Sequence, residues 1–532
     1  MADPPSSIVP YTVFTARQKR LLILMIGLSM FFSPFCANIY IACLPALEKA
    51  MNTTPQMINL TVTVYLIFQG IAPTIFGDLA DTIGRRPTYI LTFTLFVVAN
   101  IGLALQSSYA ALLALRILQS AGSSAATAIS YAVVADVAPP AERGKMLGPA
   151  LVATNIGIII GPLLGGVLAD TVGWRWIFWL LAILGGIFLF VLLTFFPETA
   201  RNIVGSGNLE VGPLNRTLLS YLPVKSETQT VGGEQCYHDR KRSLQRRKWL
   251  PNPLKSIRLV FYKDTSLVLS ISAMAYMVFF CIQASLPGIF VDVYDLDEAQ
   301  IGYSFIASGT GVVIGGYMNG KLMDYNYHKT AKSINNTVNE TQRGDRISFP
   351  IEKARSKSSC VLVSCLAVCI VGYGWAIRAR VHISIPLIVT FLQGCLVSCL
   401  IQTYNTLLID THPEQPSRAG AAGNITRCAL AGCGVASIEP LLHAVGPGWT
   451  FTILGCAFGF CSLCAICLIR RKGMAWRTTR QMGNQEHSPR LGIQSSGAKS
   501  LCDHNGTKTA DLGLMKATPE GLALSESKFL PR

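Results

Sequence analysis

The chain has 532 residues, 51% hydrophobic and only 14% charged, with 45 Lys and Arg against 29 Asp and Glu and a net charge of +16. Ordinary soluble domains carry about 25% charged residues, so the deficit excludes a conventional globular protein and points to long segments in lipid, where a span takes roughly 20 apolar residues. The basic excess is no nucleic-acid footprint, because it crowds the ends of apolar segments and the polar loops, as cytoplasmic loops do.

The first eleven residues are polar and proline-rich, and the apolar segment after them is too long for a signal-peptide core, so it reads as a span that stays. Hydropathy predicts spans at 21–45, 57–76, 88–107, 110–135, 147–169 and 176–196, then at 266–290, 300–319, 358–377, 382–406, 419–443 and 449–469. That is two groups of six. An even number places both termini on one side. Arg17, Lys19 and Arg20 precede the first span, Arg85 and Arg86 follow the second, and Arg143 and Lys145 precede the fifth. Arg240, Lys241, Arg242, Arg246, Arg247 and Lys248 lie between the sixth and seventh. The alternate loops are poor in Lys and Arg, with Arg378 and Arg380 the main exception. The positive-inside rule therefore puts both termini in the cytosol.

The chain divides on this reading into a cytosolic N-terminus (1–20), a six-helix bundle (21–197), a cytosolic central loop (198–262), a second six-helix bundle (263–470) and a disordered cytosolic tail (471–532). A second cytosolic loop covers about 324–357. The sequon at Asn52 falls in the first outward loop and is a glycosylation candidate. Sequons in the central loop and tail face the cytosol and should be silent.

One glycine run stands out in span five: Gly148, Gly157, Gly161-Pro162 and Gly165-Gly166. Each glycine costs a soluble helix about 1 kcal/mol relative to alanine. In a membrane span, small residues instead let a neighbouring backbone come close. The loop 77–87 has Gly77 and Gly84 for a tight turn, Asp81 at a helix end, and Arg85 and Arg86. Such a cluster reads as a latch that must break for one side to open. Gly77-x-Leu79-x-Asp81 recurs as Gly320-x-Leu322-x-Asp324, 243 residues on and at the equivalent place in the second half. Parallel repeats of this kind are a transporter architecture.

Arg116 lies within span four, with Gln119 on the same face; an intramembrane arginine is a functional candidate by default. Glu439, in span eleven, is the clearest carboxylate inside a span and a candidate for proton coupling, whereas Asp136 and Asp410 read as topological or latch residues. The 16 cysteines form no disulfide framework. Cys461, Cys464 and Cys467 sit in span-like sequence without a nearby histidine or carboxylate, so no metal site is expected. No G-x4-GK-[ST] loop and no catalytic constellation occur, which argues against an ATP-driven pump, an enzyme or a bound cofactor.

The loop 77–87, the segment Arg116–Gly122 and the glycine run resemble three motifs of the major facilitator superfamily, the run resembling the signature of its twelve-span drug:proton antiporters. Pro197-Glu198-Thr199, Asp324-Tyr325-Asn326-Tyr327, Phe349–Arg355, Tyr404–Asp410, Asn424–Cys428 and Gly448–Phe451 are similar to fungal multidrug exporters and their citrate-exporting relatives. The resemblance covers about residues 15–475. It implies an all-α membrane protein, twelve transmembrane helices in two six-helix bundles that rock around a central cavity lined by spans 1, 4, 7 and 10. The lining candidates are then Asn38, Tyr40, Arg116, Gln119, Gln283, Tyr404 and Asn405. Asp81 would take a conformational role and Arg116 a part in proton coupling. Thr82 stands where the family pattern usually has arginine, which bears on one contact of the latch. The expected protein is a monomeric plasma-membrane exporter of drugs, toxins or secondary metabolites, with protons and a small molecule as its partners. The alternatives are an organic-acid exporter of the citrate type and a non-transporting nutrient sensor on the same fold.

Overall fold

A computed structural model describes residues 14–139, 142–204, 258–333, 351–412 and 416–486. The chain parts into one unit that runs to Gln481 and another from Met482, and the spanning helices belong to the first. The helices of the first half are α1 (Ala16–Ile41), α2 (Leu44–Met51), α3 (Pro55–Ile83), α4 (Arg85–Leu105), α5 (Tyr109–Val137), α6 (Arg143–Thr171), α7 (Arg175–Phe195) and the short α8 (Arg201–Val204). Those of the second half are α9 (Lys263–Tyr294), α10 (Glu298–Ser333), α11 (Ile351–Arg355), α12 (Ser359–Arg378), α13 (Ser384–Thr411) and α14 (Pro416–Glu486).

Among the described residues ten helices are long and apolar enough to cross a membrane. One of them, α14, is two spans joined at Gly446, whose φ of 73° and ψ of 168° break the helix. The 36-residue α10 falls outside the ten because glycines and polar residues dilute it. With both arms of α14 and with α10, twelve helices span, six on each side of the central interval.

Local chemistry sets the helix ends. Thr15 caps α1 in a reciprocal box with Gln18. Thr54 caps α3, with Pro55 next to it where its missing N–H costs nothing, and Ser108 caps α5. Within the helices, hydroxyls such as those of Ser29, Thr92 and Ser130 donate to carbonyls three or four residues back, so they need no water in the lipid. In the first half α1 packs on α6, α3 and α4 on α5, and α4 on α7. Phe32, Phe93, Phe96 and Phe188 interlock between α1, α4 and α7 with centroids 4.7–6.2 Å apart. In the second half α13 is the hub for α9, α10 and α12. Large apolar side chains such as Leu24, Phe190, Val368 and Phe460 point outward, as lipid contact requires.

Four boundaries differ from the hydropathy reading. The first span ends at Ile41, because Pro45 starts a separate short helix. The segment 77–83 is not a loop: α3 continues to Ile83 and the turn is confined to Gly84. α10 runs on past 319 to Ser333, so Asp324 lies inside a helix. The final helix carries on past 471 to Glu486, where a disordered tail was expected. Most of the central loop (205–257), the loop segment 334–350, residues 1–13 and the tail from 487, with the sequons expected to be silent there, lie outside the described residues.

Candidate functional site

At the end of the first half where α1 begins, three helix ends meet around Gly84. Its φ of 114° suits glycine, and a Cβ there would also run into the Glu198 carboxylate. That carboxylate, just beyond α7, lies across the N-terminus of α4 and accepts from the backbone N–H of Arg85 (2.9 Å) and Arg86 (3.2 Å). It also accepts from the N–H groups of Thr199 and Ala200, both at 2.9 Å. A negative charge there meets both the orphan donors and the positive end of the helix dipole. The two arginines then point in different directions. Arg85 bridges Asp81 (2.5 Å) and Asp136 at the end of α5 (2.9 Å). Arg86 donates to the Leu192, Leu193 and Phe196 carbonyls, 2.6–3.0 Å away, closing the C-terminal end of α7.

Asp81, Gly84, Arg85 and Arg86 thus come together as the latch reading requires. Gly77 does not: it sits inside α3 facing Ala128 at 3.7 Å, a packing position rather than a turn. Thr82 donates to its own helix at Leu79, 2.8 Å away. The second half repeats the central pair. Arg355 on α11 meets Asp410 near the end of α13 at 3.1 Å, matching Arg85 and Asp136. Its helix-capping arginine is Arg470, which donates to the Ser356 (2.6 Å) and Lys357 (2.8 Å) carbonyls, while Arg477 meets Glu352 at 3.4 Å.

Arg116 is sealed within the first half. Its guanidinium lies 3.8 Å from the ring centre of Tyr40 and 4.3 Å from that of Tyr65. It donates to Gln119 at 2.6 Å, and Gln119 in turn donates to Asn100 at 2.7 Å. Tyr40 shares a 2.6 Å hydrogen bond with Thr61. The arginine is 1% exposed. The sequence offered no signal for Tyr65 and Asn100, which come from two other helices.

The glycine run of α6 has two faces. Gly157, Gly161 and Gly165, four residues apart, look onto α1: added Cβ atoms would meet Phe31 O and Phe35 N, Ile39 N and Phe35 O, and Ile39 O. Gly166 and Pro162 look onto the second half, where Gly302 of α10 approaches so closely that its Cβ would lie 2.8 Å from Pro162 O and 3.1 Å from Gly166 Cα. Gly309 continues this line against Ile159. Gly148 has nothing within 4 Å and takes no part. The matching glycines of α10 were missed, although Gly302, Gly309, Gly311, Gly315 and Gly316 form an equally dense run in span eight. Gly311 and Gly315 face α13 instead.

A second line joins the halves, α3 against the first arm of α14. Asn59 donates to Glu439 at 3.4 Å, Thr63 to the Gly432 carbonyl at 3.2 Å, and Asn424 to the Gln69 carbonyl at 3.0 Å. Gly70 lies against Cys428 and Ile425. Glu439 also meets His443 at 3.4 Å. Near it, on α2, burial and then the neighbouring Glu439 and Asp292 carboxylates raise the pKa of Glu48.

The sequence profile described as Major Facilitator Superfamily matches residues 26–336. The chain belongs to that superfamily. Among relatives of this major facilitator chain, the MFS-type transporter tstD of Talaromyces stipitatus is 36% identical over 482 residues, covering 91% of this chain and 87% of its own. Citrate exporter 1 of Aspergillus niger is 32% identical over 453 residues, covering 84% of each. The partially occluded inward open form of the E. coli xylose transporter XylE shares the fold at a TM-score of 0.57 and 13% identity, covering 85% of this chain and 97% of its own. Like them, the chain is a multi-pass membrane transporter rather than an enzyme.

Of the expected cavity lining in this major facilitator fold, Asn38, Tyr40, Gln119, Gln283 and Tyr404 are buried and Asn405 is partly exposed. Asn38 donates to its own helix at Pro34 (2.7 Å), and Gln283 donates to Ser308 (3.2 Å). Asn52 is exposed at the left-handed C-cap of α2, with Thr54 of its sequon capping α3.

Proposed function

We propose that this transporter exports a small organic molecule in exchange for inward-moving protons, its two halves rocking to open a central site to one side and then the other. One arrangement carries the reading. The halves meet along narrow lines, where the Gly166 and Gly302 backbones touch and the Thr63 hydroxyl reaches the Gly432 carbonyl, while each half is braced internally by its own Arg–Asp pair. Small contacts of this kind let rigid bodies tilt without repacking large side chains. The latch of Asp81, Gly84, Arg85 and Arg86 holds the first half's brace. Glu439 bonds across the seam to Asn59, so a change in its protonation alters a contact between the halves. Arg116 is the buried charge whose surroundings would respond. Asn405, partly exposed, and Gln283, whose buried Oε1 has no hydrogen-bond partner, are the lining groups this reading assigns to cargo.

On this reading the protein works in the plasma membrane as a monomer, with both termini cytosolic and Asn52 as a glycosylation candidate. Drug, toxin and secondary-metabolite efflux is the first reading. The likeness to citrate exporter 1 favours organic-acid export as the second. Efflux of labelled citrate and of rhodamine 6G from a yeast host, with and without a protonophore, tests both. Export of either probe that stops with the gradient, and loses its pH dependence in Glu439→Gln, is the expected result. Export indifferent to the gradient contradicts the coupling, and movement of neither probe contradicts the transport reading.

A further inference from the structure

We infer that Arg427 anchors an organic-anion subsite between the halves, taking cargo through a carboxylate; this rests on the exporter reading and names its substrate class. Arg427 lies nine residues beyond Arg418 on α14, roughly 13 Å along the helix and well inside the lipid. Its Nη2 donates to Asn424 at 3.0 Å and its guanidinium lies 5.0 Å from the ring centre of Tyr276 on α9. Its buried Nε has no hydrogen-bond partner. Among the described residues no carboxylate pairs with it.

The first half supplies the other wall. Tyr131 on α5 is 45% exposed and within electrostatic reach of Arg427. Gln69 on α3, whose carbonyl accepts from Asn424, has a buried Oε1 without a partner. Arg427, Tyr276, Tyr131 and Gln69 come from four helices of both halves. Together they present a cation and two phenol groups that can donate to a carboxylate, with the Gln69 amide beside them; its Nε2 donates to Ser33 at 3.3 Å.

A guanidinium fork matches a carboxylate in shape and charge, and a cation left unpaired at membrane depth is the default mark of a substrate path. Arg116 cannot serve this way, because two aromatic rings cover its faces and it is 1% exposed. Arg427 has one ring, at a greater distance, and remains partly open. A carboxylate seated there is also shared between the halves, so its arrival and departure bear on their tilt.

The test uses the full-length protein, purified and reconstituted in proteoliposomes, with citrate, succinate and benzoate as anionic probes and rhodamine 6G as a cationic one. At least one carboxylate is expected to raise the thermal midpoint of the wild type. Arg427→Gln should weaken that binding about 10- to 100-fold and leave the rhodamine 6G response intact. Arg427→Lys keeps the charge but not the fork, and should bind the same carboxylate several-fold more weakly. It decides the question if Arg427→Gln fails to fold, as judged by its elution profile. Wild-type affinity in either folded variant, or no carboxylate binding to the wild type, overturns the proposal. If rhodamine 6G moves while every carboxylate is ignored, the transport reading stands and the anion site falls. Carboxylate binding through Arg427 without transport of any probe has the opposite meaning.

Discussion

An arginine at membrane depth costs roughly 3 kcal/mol on insertion scales. Around Arg116 two stacked rings and one charge-assisted hydrogen bond are together worth about 5 kcal/mol, which works against that cost without a carboxylate, although Nε and Nη2 have no hydrogen-bond partner. The residue was legible as an intramembrane charge, and Gln119 as its neighbour three residues on. Tyr65 and Asn100 were not, because their contacts are made across helices and leave no local period. Glu198 gives the same lesson more sharply. The sequence marks it only as part of Pro197-Glu198-Thr199, whereas its chemistry is that of a helix cap more than a hundred residues away from its own helix. Glu198→Ala strips the acceptor from four backbone donors and should destabilise the detergent-solubilised protein by about 1–2 kcal/mol. A lowered thermal midpoint is the check; an unchanged one would remove the capping role. Arg85→Gln goes further, since it removes the cation bonded to the largely buried Asp136 and leaves only Arg201 nearby.

At the scale of elements, glycine spacing in α6 announced close approach but not the neighbour. Gly157, Gly161 and Gly165 recur every four residues and so form one stripe, which goes to α1 within the same half. Gly166 is one position round the helix and goes to the other half. The two roles separate by substitution. Gly148→Ala meets nothing and removes glycine's entropic cost, so membrane level and export should stay at or slightly above wild type. Gly165→Val would drive a branched side chain into the Ile39 carbonyl and should sharply lower the amount of folded protein in the membrane. Gly302→Val should spare folding of each half more and strike export harder. Quantifying membrane protein by immunoblot beside efflux distinguishes these cases, and equal losses from all three would refute the division of faces. The loop boundaries were misread for a related reason. Gly77 looks like a turn residue in sequence, yet one positive-φ glycine at 84 suffices to reverse the chain.

For the whole molecule, the halved hydropathy pattern and the short Gly-x-Leu-x-Asp repeat were enough to give twelve spans and two related halves. The deeper correspondence is Arg85–Asp136 with Arg355–Asp410, each pairing a residue at the junction of the second and third spans of its half with the end of the fourth. It stayed hidden because it is a relation between pairs in space. The same holds for the two lines along which the halves meet, neither of which has a sequence period of its own. Alternating access requires those lines to open and close. The α3–α14 line passes through Thr63 and Gly432, where an added Cβ at 432 would lie 3.6 Å from Cγ2 of Thr63, the position a cysteine Sγ at 63 can take, so a cysteine pair there is a candidate for bridging. The direct measurement is therefore efflux of citrate and rhodamine 6G by a Thr63→Cys, Gly432→Cys protein with Cys433 replaced by serine, before and after mild oxidation. Export that stops when the bridge forms and returns with dithiothreitol is the predicted result; export at full rate with the bridge intact would contradict the rocking of the two halves along this seam.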